Sequence, residues 1–142
     1  MPQDSVETLR AFLATRSGEN WTTEAWERHE VFDFDFLDPD IVYEDDNLPD
    51  HIGEAYRGHE GVVRAAKRWI EGSESLFVDF ERIVGSGDRV VSIHRVRTKG
   101  HYGGIEFEFP LAYVWTLRDG KVVHFRSVRD PEEAIAGADL TE

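Results

Sequence analysis

A chain of 142 residues has the length of one domain, and a hydrophobic content of 40% with 12% aromatic residues is enough to form a core. Its 29 acidic residues outnumber the 16 basic ones, which gives a net charge of −13 at pH 7. Such a field repels a nucleic acid backbone and an anionic membrane surface, so neither is an expected partner.

The chain has no cysteine, which excludes disulfides, thiol nucleophiles, iron–sulfur clusters and cysteine-based zinc sites. Residues 1–16 carry charges throughout and no apolar segment, so no secretory signal is predicted. No apolar run approaches the roughly 20 residues needed to span a bilayer. We therefore expect a soluble protein of the cytoplasm.

Helical spacing of apolar residues marks the start of the chain. Asp4 and Glu7 resemble a capping box, and the pattern that follows predicts an amphipathic helix over 4–18. Further along, local patterns predict a short helix at 22–26, a strand at 32–36, a turn at 38–40, a short strand at 41–45 and a polar loop at 47–53. A second amphipathic helix is predicted over 58–72, with Val62, Val63, Ala66, Trp69 and Ile70 on its apolar face.

The second half of the chain is rich in strand signals. Strands are predicted at 76–84, 89–98, 105–117 and 122–128. Asp119-Gly120 is a strong hairpin signal between the last two. Asp130 and Pro131 predict the N-cap and first residue of a helix ending at Ala136. Helices followed by an antiparallel meander predict an α+β domain, in which helices on one face of a curved sheet enclose a cavity.

Motifs of known catalytic chemistry are absent from the sequence. It contains no phosphate-binding loop, no H-E-x-x-H and no G-x-S-x-G. The six histidines include no pair at helical ligand spacing, and no EF-hand loop accompanies the acidic excess. We therefore predict neither a metal nor another cofactor.

Polar residues inside apolar strands are the remaining candidates. The strand at 105–117 puts one set of apolar residues on a single face, which must be buried: Phe107, Phe109, Leu111, Tyr113, Trp115 and Leu117. Pro110 could introduce a bulge there. On the last strand, a three-residue turn would direct Val123, Phe125 and Ser127 inward and His124 and Arg126 outward.

The strands at 89–98 and 105–117 can pair in two registers, which differ in the face of the sheet to which each side chain points. One places Arg97 opposite Glu106 and Arg95 opposite Glu108, whereas the other directs both arginines into the aromatic layer. Burying two unpaired arginines costs on the order of several kcal/mol, so the register that places both arginines opposite glutamates is predicted. The residues that then point inward are Ser92, His94 and Val96.

Each inward polar residue has a structural interpretation beside the functional one. His94 is either a hydrogen-bonded core residue or an acid/base group in a cavity, and the structural role is the commoner of the two. Tyr113 could bind a ligand carbonyl, although a buried tyrosine more often contacts a backbone acceptor. Packing is also commoner than ligand stacking for Trp69 and Trp115.

Several segments together resemble SnoaL-like polyketide cyclases, within the superfamily of nuclear transport factor 2-like and ketosteroid isomerase-like proteins. In the first half the segments are Leu37-Asp38-Pro39-Asp40-Ile41-Val42-Tyr43 and Tyr56-Arg57-Gly58-His59-Glu60-Gly61-Val62. In the second half they are Gly87-Asp88-Arg89-Val90-Val91, the stretch 112–122 and Arg129-Asp130-Pro131-Glu132-Glu133-Ala134. The similarity covers residues 5–140 and is specific for fold rather than for activity.

The resemblance implies a cone-shaped, curved mixed sheet around a pocket, with N-terminal helices on its concave face and a homodimer formed through its outer face. It also implies a helix before Leu37, which conflicts with the strand at 32–36 and takes precedence over that short alternation. By position, the general base of ketosteroid isomerases corresponds to Asp45, and their oxyanion donor falls near Tyr113. Their tyrosine on the first helix has no counterpart, and neither does the Asp–Arg–Asp set of limonene-epoxide hydrolases.

These observations lead to a pocket protein that binds an apolar or aromatic carbonyl compound. Asp45 would move a proton next to the carbonyl, while Tyr113 and His94 stabilise the enolate oxygen, as in isomerisation or cyclisation without a cofactor. The aromatic residues expected around the ligand are Tyr43, Tyr56, Trp69, Phe109 and Trp115. A non-catalytic binding or dimerisation module is the alternative, and hydrolysis through a bound water is a third hypothesis, which a second inward carboxylate would favour.

Overall fold

The computed structural model describes residues 7, 9–14, 35–45, 55–71, 73–86, 88–100 and 105–137. Within these ranges the chain forms three helices and six strands. The helices are α1 at 9–14, with residue 7 also helical, α2 at Gly58–Glu71 and α3 at Pro131–Gly137. The strands are β1 at Leu37–Asp45, β2 at Tyr56–Arg57, β3 at Ser73–Ser86, β4 at Arg89–Gly100, β5 at Glu106–Arg118 and β6 at Lys121–Val128.

The six strands form one mixed sheet in the order β2-β1-β6-β5-β4-β3. Only β1 and β6 run parallel, and the other neighbours are antiparallel. The four strands from β3 to β6 are therefore a meander, and β1 adds to it across the last strand. The predicted α+β class with a curved mixed sheet is confirmed.

Helices α1 and α2 pack on one face of this sheet, which we call the inner face. Leu9 and Leu13 of α1 and Val62 and Ala65 of α2 are all buried there, in one cluster with Trp115 and other strand residues. The periodicity that predicted an amphipathic first helix is thus confirmed for its described part. On α2 the buried stripe passes through Ala65, which is 1% exposed, rather than the predicted Ala66.

The opposite face, which we call the outer face, is buried in part. Ala112 is 0% exposed and lies in a second cluster with Val91, Ile93 and Ala134 of α3. Sequence alternation had assigned burial to the inner face alone, and this was wrong because α3 covers part of the outer face. The predicted cap of α3 is confirmed, since Asp130 Oδ1 accepts from the amide of Glu132 at 3.0 Å.

The beginning of β1 differs from its prediction. Residues 38–40 belong to the strand instead of a separate turn, although the register is irregular between Leu37 and Val42. The Asp40 amide donates to Asp38 Oδ1 at 2.8 Å, which is the local bond that turn residues favour. His59 Nε2 donates to the Leu37 carbonyl at 2.8 Å, so α2 helps to hold this irregular segment.

The register between β4 and β5 is displaced by two residues from the prediction. Arg97 pairs with Glu108 and Lys99 with Glu106, while Arg95 lies opposite Pro110. A displacement of two keeps every side chain on its face, so the predicted orientations of His94 and of the arginines are confirmed. The predicted contact of Arg95 with Glu108 exists as a diagonal ion pair at 3.3 Å.

Three predictions about β5 and β6 were also wrong: the three-residue turn, the inward orientation of Val123 and the bulge at Pro110. The turn between β5 and β6 has two residues, Asp119 and Gly120, with positive φ of 52° and 80°. A bulge then leaves Val123 without a partner on β5, so Val122 is the fully buried residue. Pro110 causes no bulge, because it lies before Ala112, where pairing with β6 begins, and needs no amide hydrogen on that side.

Phe107 is 56% exposed rather than buried as predicted. It lies at the end of β5 where β6 no longer pairs and no described helix covers the sheet. The predicted helix at 22–26, the loop at 47–53 and residues 32–34 lie outside the described residues. No helix among the residues described has the length and apolar character needed to cross a membrane.

Candidate functional site

Aromatic rings line the inner face of the sheet. Phe125 of β6 lies between two stacked neighbours, with ring centroids 4.3 Å from Tyr43 and 4.7 Å from Trp115. Tyr113 contacts Trp115 at 5.6 Å, and it meets His94 edge-on at 5.1 Å. The result is a continuous aromatic wall across β1, β6, β5 and β4, built by strand alternation on one face.

A chain of buried hydrogen bonds runs through this wall. Trp115 Nε1 donates to Ser92 Oγ at 2.7 Å, and the same oxygen lies 2.8 Å from His94 Nε2. All three side chains are buried, with exposures of 5%, 0% and 2%. Residues 92 and 94 share a face of β4, and Ser92 is also adjacent to the strand that carries Trp115. The arrangement fixes the orientation of the imidazole.

The other ring nitrogen of His94, the buried Nδ1, has no hydrogen-bond partner among the described residues. Burial lowers the pKa of His94 to about 3, and the negative charge of Asp79 opposes this effect only in part. The ring is therefore neutral at physiological pH, and it holds one unsatisfied polar atom inside an apolar environment.

A row of polar positions crosses the sheet beside His94. Asp45 pairs with Ser127, Ser127 with Tyr113, and Tyr113 with Ser92. Neighbouring strands lie about 4.8 Å apart, so the backbone at Asp45 is about 10 Å from that at Tyr113. The side chain of Asp45 is outside the described residues, so its role stays a prediction.

The predicted ligand-binding aromatics occupy different environments. Tyr43 is buried at 4% exposure, whereas Tyr56 is partly buried at the sheet edge, with its ring 6.1 Å from that of Tyr43. Trp115 is packed against Phe125, and its indole hydrogen is already bonded to Ser92. Phe109 packs against a separate cluster below the end of α2. Trp69 lies on α2, but its side chain is outside the described residues.

Two residues of the wall went unassigned in the sequence analysis. Ser92 and Phe125 were both predicted to point inward, yet neither was given a role. The signal for Ser92 was its place as a small polar residue between Val90, Val91 and Ile93, where only a partner can offset the cost of its burial. Phe125 gave no comparable signal, because an inward phenylalanine is ordinary in a strand.

No metal site is evident where the structure is described, since no three His, Asp or Glu side chains there come close enough together to hold an ion. His124 lies on the outer face, where its Nε2 donates to Glu44 Oε2 at 2.8 Å, and His59 bonds to backbone. Of the histidines in the described ranges, His94 is the one that is buried among the aromatic rings of the inner face.

Solved structures with the same fold are numerous, and three of them illustrate the range. A putative SnoaL-like polyketide cyclase from Jannaschia sp. CCS1 is 22% identical, with a TM-score of 0.69 over 96% of this chain and 92% of that one. A ketosteroid isomerase-like protein from Catenulispora acidiphila in complex with trimethylamine is 18% identical, with a TM-score of 0.64 over 95% and 94%. TerC, co-crystallised with polyporic acid, is 18% identical, with a TM-score of 0.63 over 96% of each chain.

Identities at this level establish the fold and leave the activity open. No curated protein matches the chain significantly. The sequence profile of the SnoaL-like domain matches residues 19–125, which is most of the chain and includes α2 and the strands from β1 to Phe125 of β6. On this evidence the chain belongs to the SnoaL-like domain family.

Proposed function

We propose that the inner face binds an apolar or aromatic carbonyl compound and that the protein isomerises or cyclises it by acid/base chemistry. The observation that carries the proposal is the adjacency of Tyr113 and His94, two residues with polar atoms whose ring centroids lie 5.1 Å apart within an aromatic wall. Stacked rings offer area to a flat ligand, and the few polar groups among them fix its orientation.

The chemistry needs a base and a place for negative charge. In the proposed reaction the Asp45 carboxylate takes a proton from the carbon next to the carbonyl, and the electron pair moves to the carbonyl oxygen. Tyr113 and His94 donate hydrogen bonds to the resulting enolate oxygen. In isomerisation the carboxylic acid then returns the proton to another carbon. In cyclisation the enolate carbon attacks a second carbonyl within the same ligand, and the resulting alkoxide oxygen takes the proton from the acid.

Support for this proposal comes from backbone register and from the comparisons. Asp45 lies in the same cross-strand row as Tyr113, two strands away. Related folds hold small organic molecules, as the complexes with trimethylamine and polyporic acid demonstrate for those two proteins.

Proton exchange gives a test that needs no knowledge of the natural product. Purified protein is incubated with 2-tetralone, an aromatic ketone with acidic α-protons, in deuterated buffer, and proton NMR follows the loss of the α-proton signal. We expect exchange above the buffer rate, and we expect Asp45→Asn to reduce it to that rate because the base is lost. Unchanged exchange in Asp45→Asn would place the base elsewhere.

Glu44→Gln is the matched control for this experiment. Glu44 is the adjacent carboxylate on β1, but it faces the other side of the sheet and bonds to His124. Its removal takes away the same charge without changing the inner face, so exchange should persist. If both variants lose exchange equally, the effect comes from β1 as a whole and the proposal fails.

The alternative function is a non-catalytic binding or dimerisation module. The observation that favours it is Trp115, whose stacked ring and satisfied indole hydrogen behave as ordinary core packing. A groove of about 700 Å³ on the outer face carries both Glu44 and Glu133 and the cations Arg89 and Arg126, so two copies could pair unlike charges there. Sedimentation at low and high salt would test this, with a monomer throughout contradicting it.

A further inference from the structure

We propose that Trp115 and Ser92 lock His94 in the tautomer with its proton on Nδ1, and that this N–H donates to an acceptor atom of the bound ligand. The inference rests on the proposed function for the presence of a carbonyl ligand, and it adds which atom recognises the carbonyl and what holds that atom in place. Ser92 and Trp115 are then positioning residues, which act by holding the ring and the proton of His94 in place.

The hydroxyl of Ser92 has one hydrogen to donate and two lone pairs that can accept. The indole of Trp115 can only donate, so one lone pair of Ser92 Oγ is occupied. If His94 donated Nε2–H as well, the hydroxyl hydrogen of Ser92 would need a third partner. Among the described residues Ser92 has no other partner, so that hydrogen would be buried and unsatisfied.

If Ser92 is instead the donor to His94, both hydrogen bonds that join Trp115, Ser92 and His94 are satisfied. The Ser92 hydroxyl then donates to Nε2 of His94, and each of the two bonds has one hydrogen and one lone pair. A neutral imidazole carries a single proton, which must then lie on Nδ1. The same Nδ1 atom is the buried polar atom that lacks a partner in the described part of the chain. The unsatisfied group is therefore a donor.

The surroundings of this donor define its ligand. Tyr113 and Phe80 flank the ring at 5.1 and 5.7 Å, so the atom that approaches Nδ1 belongs to a molecule with apolar neighbours. A carbonyl or enolate oxygen accepts such a bond, whereas an ammonium group has only donors and would be rejected. The structure thus favours apolar ketones over ammonium ions of the same shape.

Nitrogen-15 NMR of histidine-labelled protein tests the tautomer directly. In the free wild-type protein we expect the His94 signals of a neutral ring protonated on Nδ1, unchanged between pH 7.5 and 5. Ser92→Ala should give a mixture of both tautomers, because the lock is removed. Ser73→Ala is the matched control, since it removes another serine hydrogen bond, to Thr98 in the same sheet, and should leave His94 unchanged.

Ligand preference is measured with two probes of nearly equal shape, 2-acetylnaphthalene and 2-isopropenylnaphthalene, in which a CH2 group replaces the carbonyl oxygen. The ratio of their dissociation constants in wild type is compared with the ratio in His94→Phe, which keeps a ring but has no donor. We expect the preference for the ketone to fall about three- to tenfold, the usual worth of one hydrogen bond. Comparing ratios removes the difference in hydrophobicity between the probes.

Three results would overturn the inference. A wild-type ring protonated on Nε2 refutes the lock, and an unchanged ketone preference in His94→Phe refutes the contact with ligand; in both cases the proposed function can survive. Failure of both probes to bind wild type refutes the proposed function itself, and with it the ligand contact. The tautomer assignment is made on wild type, so it does not depend on the folding of any variant.

Discussion

The buried imidazole of His94 predicts a steep dependence of stability on pH. The pKa of His94 is about 3 in the folded protein, against 6.5 for a solvated histidine, the value that applies to the unfolded chain. The folded state therefore resists protonation, and its stabilisation is complete above pH 6.5 and lost as the pH falls towards 3. The loss proceeds at about 1.4 kcal/mol per pH unit.

The size of the effect at pH 5 follows from this slope. That pH lies about 1.5 units below the unfolded pKa, so His94 should reduce the free energy of unfolding by about 2 kcal/mol relative to pH 7.5. A folded pKa of 4 in place of 3 would give nearly the same loss, because both lie below the range measured. Asp79 is the charged group that acts on this ring, and its effect is already part of the folded pKa.

Urea unfolding of wild type and His94→Gln at pH 7.5, 6.5, 5.5 and 5 measures the difference. Glutamine cannot titrate, so wild type should lose about 2 kcal/mol more than the variant over this range. His124→Gln is the comparison variant, because it removes a partly exposed histidine of the outer face and leaves the buried ring in place. Parallel curves for wild type and His94→Gln would refute the assignment of His94 as a buried neutral ring.

Two further predictions concern backbone geometry. A Cβ at Gly61 would lie 2.9 Å from the backbone carbon of Tyr56, so Gly61→Ala should lower the free energy of unfolding by about 1–3 kcal/mol, measured in urea. A Cβ at Gly100 would have no atom within 4 Å, so Gly100→Ala should leave the free energy of unfolding unchanged. Equal effects of the two substitutions would contradict this explanation. Asp130→Ala should cost about 1 kcal/mol through loss of the cap on Glu132, and a loss below 0.3 kcal/mol, again in urea, would argue against the cap.

The elements of the fold were largely predictable, because each has a local signal. Strand alternation and the Asp119-Gly120 turn determined the meander, and the spacing of Leu9 and Leu13 determined the first helix. The start of β1 was not predictable from local signals. Asp38 and Asp40 favour a turn, and they form its hydrogen bond, yet pairing of β1 with the distant β6 extends the strand through them.

The site was predictable in its orientations and not in its contacts. The alternation of side chains along β4 and β5 placed His94 and Tyr113 on one face, and a register displacement of two residues does not change this. The bond between Ser92 and His94 depends on side-chain rotamers and on a tryptophan from the next strand, which no pattern in β4 alone reveals. The register depends on the geometry of the connection between β4 and β5, to which an alternation with a period of two is insensitive.

The parallel pairing of β1 with β6 has a consequence for the order of folding. Glu44 contacts His124, 80 positions further along the chain, and β1 has no other strand partner than β6 and the two residues of β2 among the described strands. During synthesis β1 leaves the ribosome long before its partner exists, whereas β3 to β6 can pair in succession as they appear. The row that joins Asp45 to Tyr113 is therefore completed only when the C-terminal hairpin has formed.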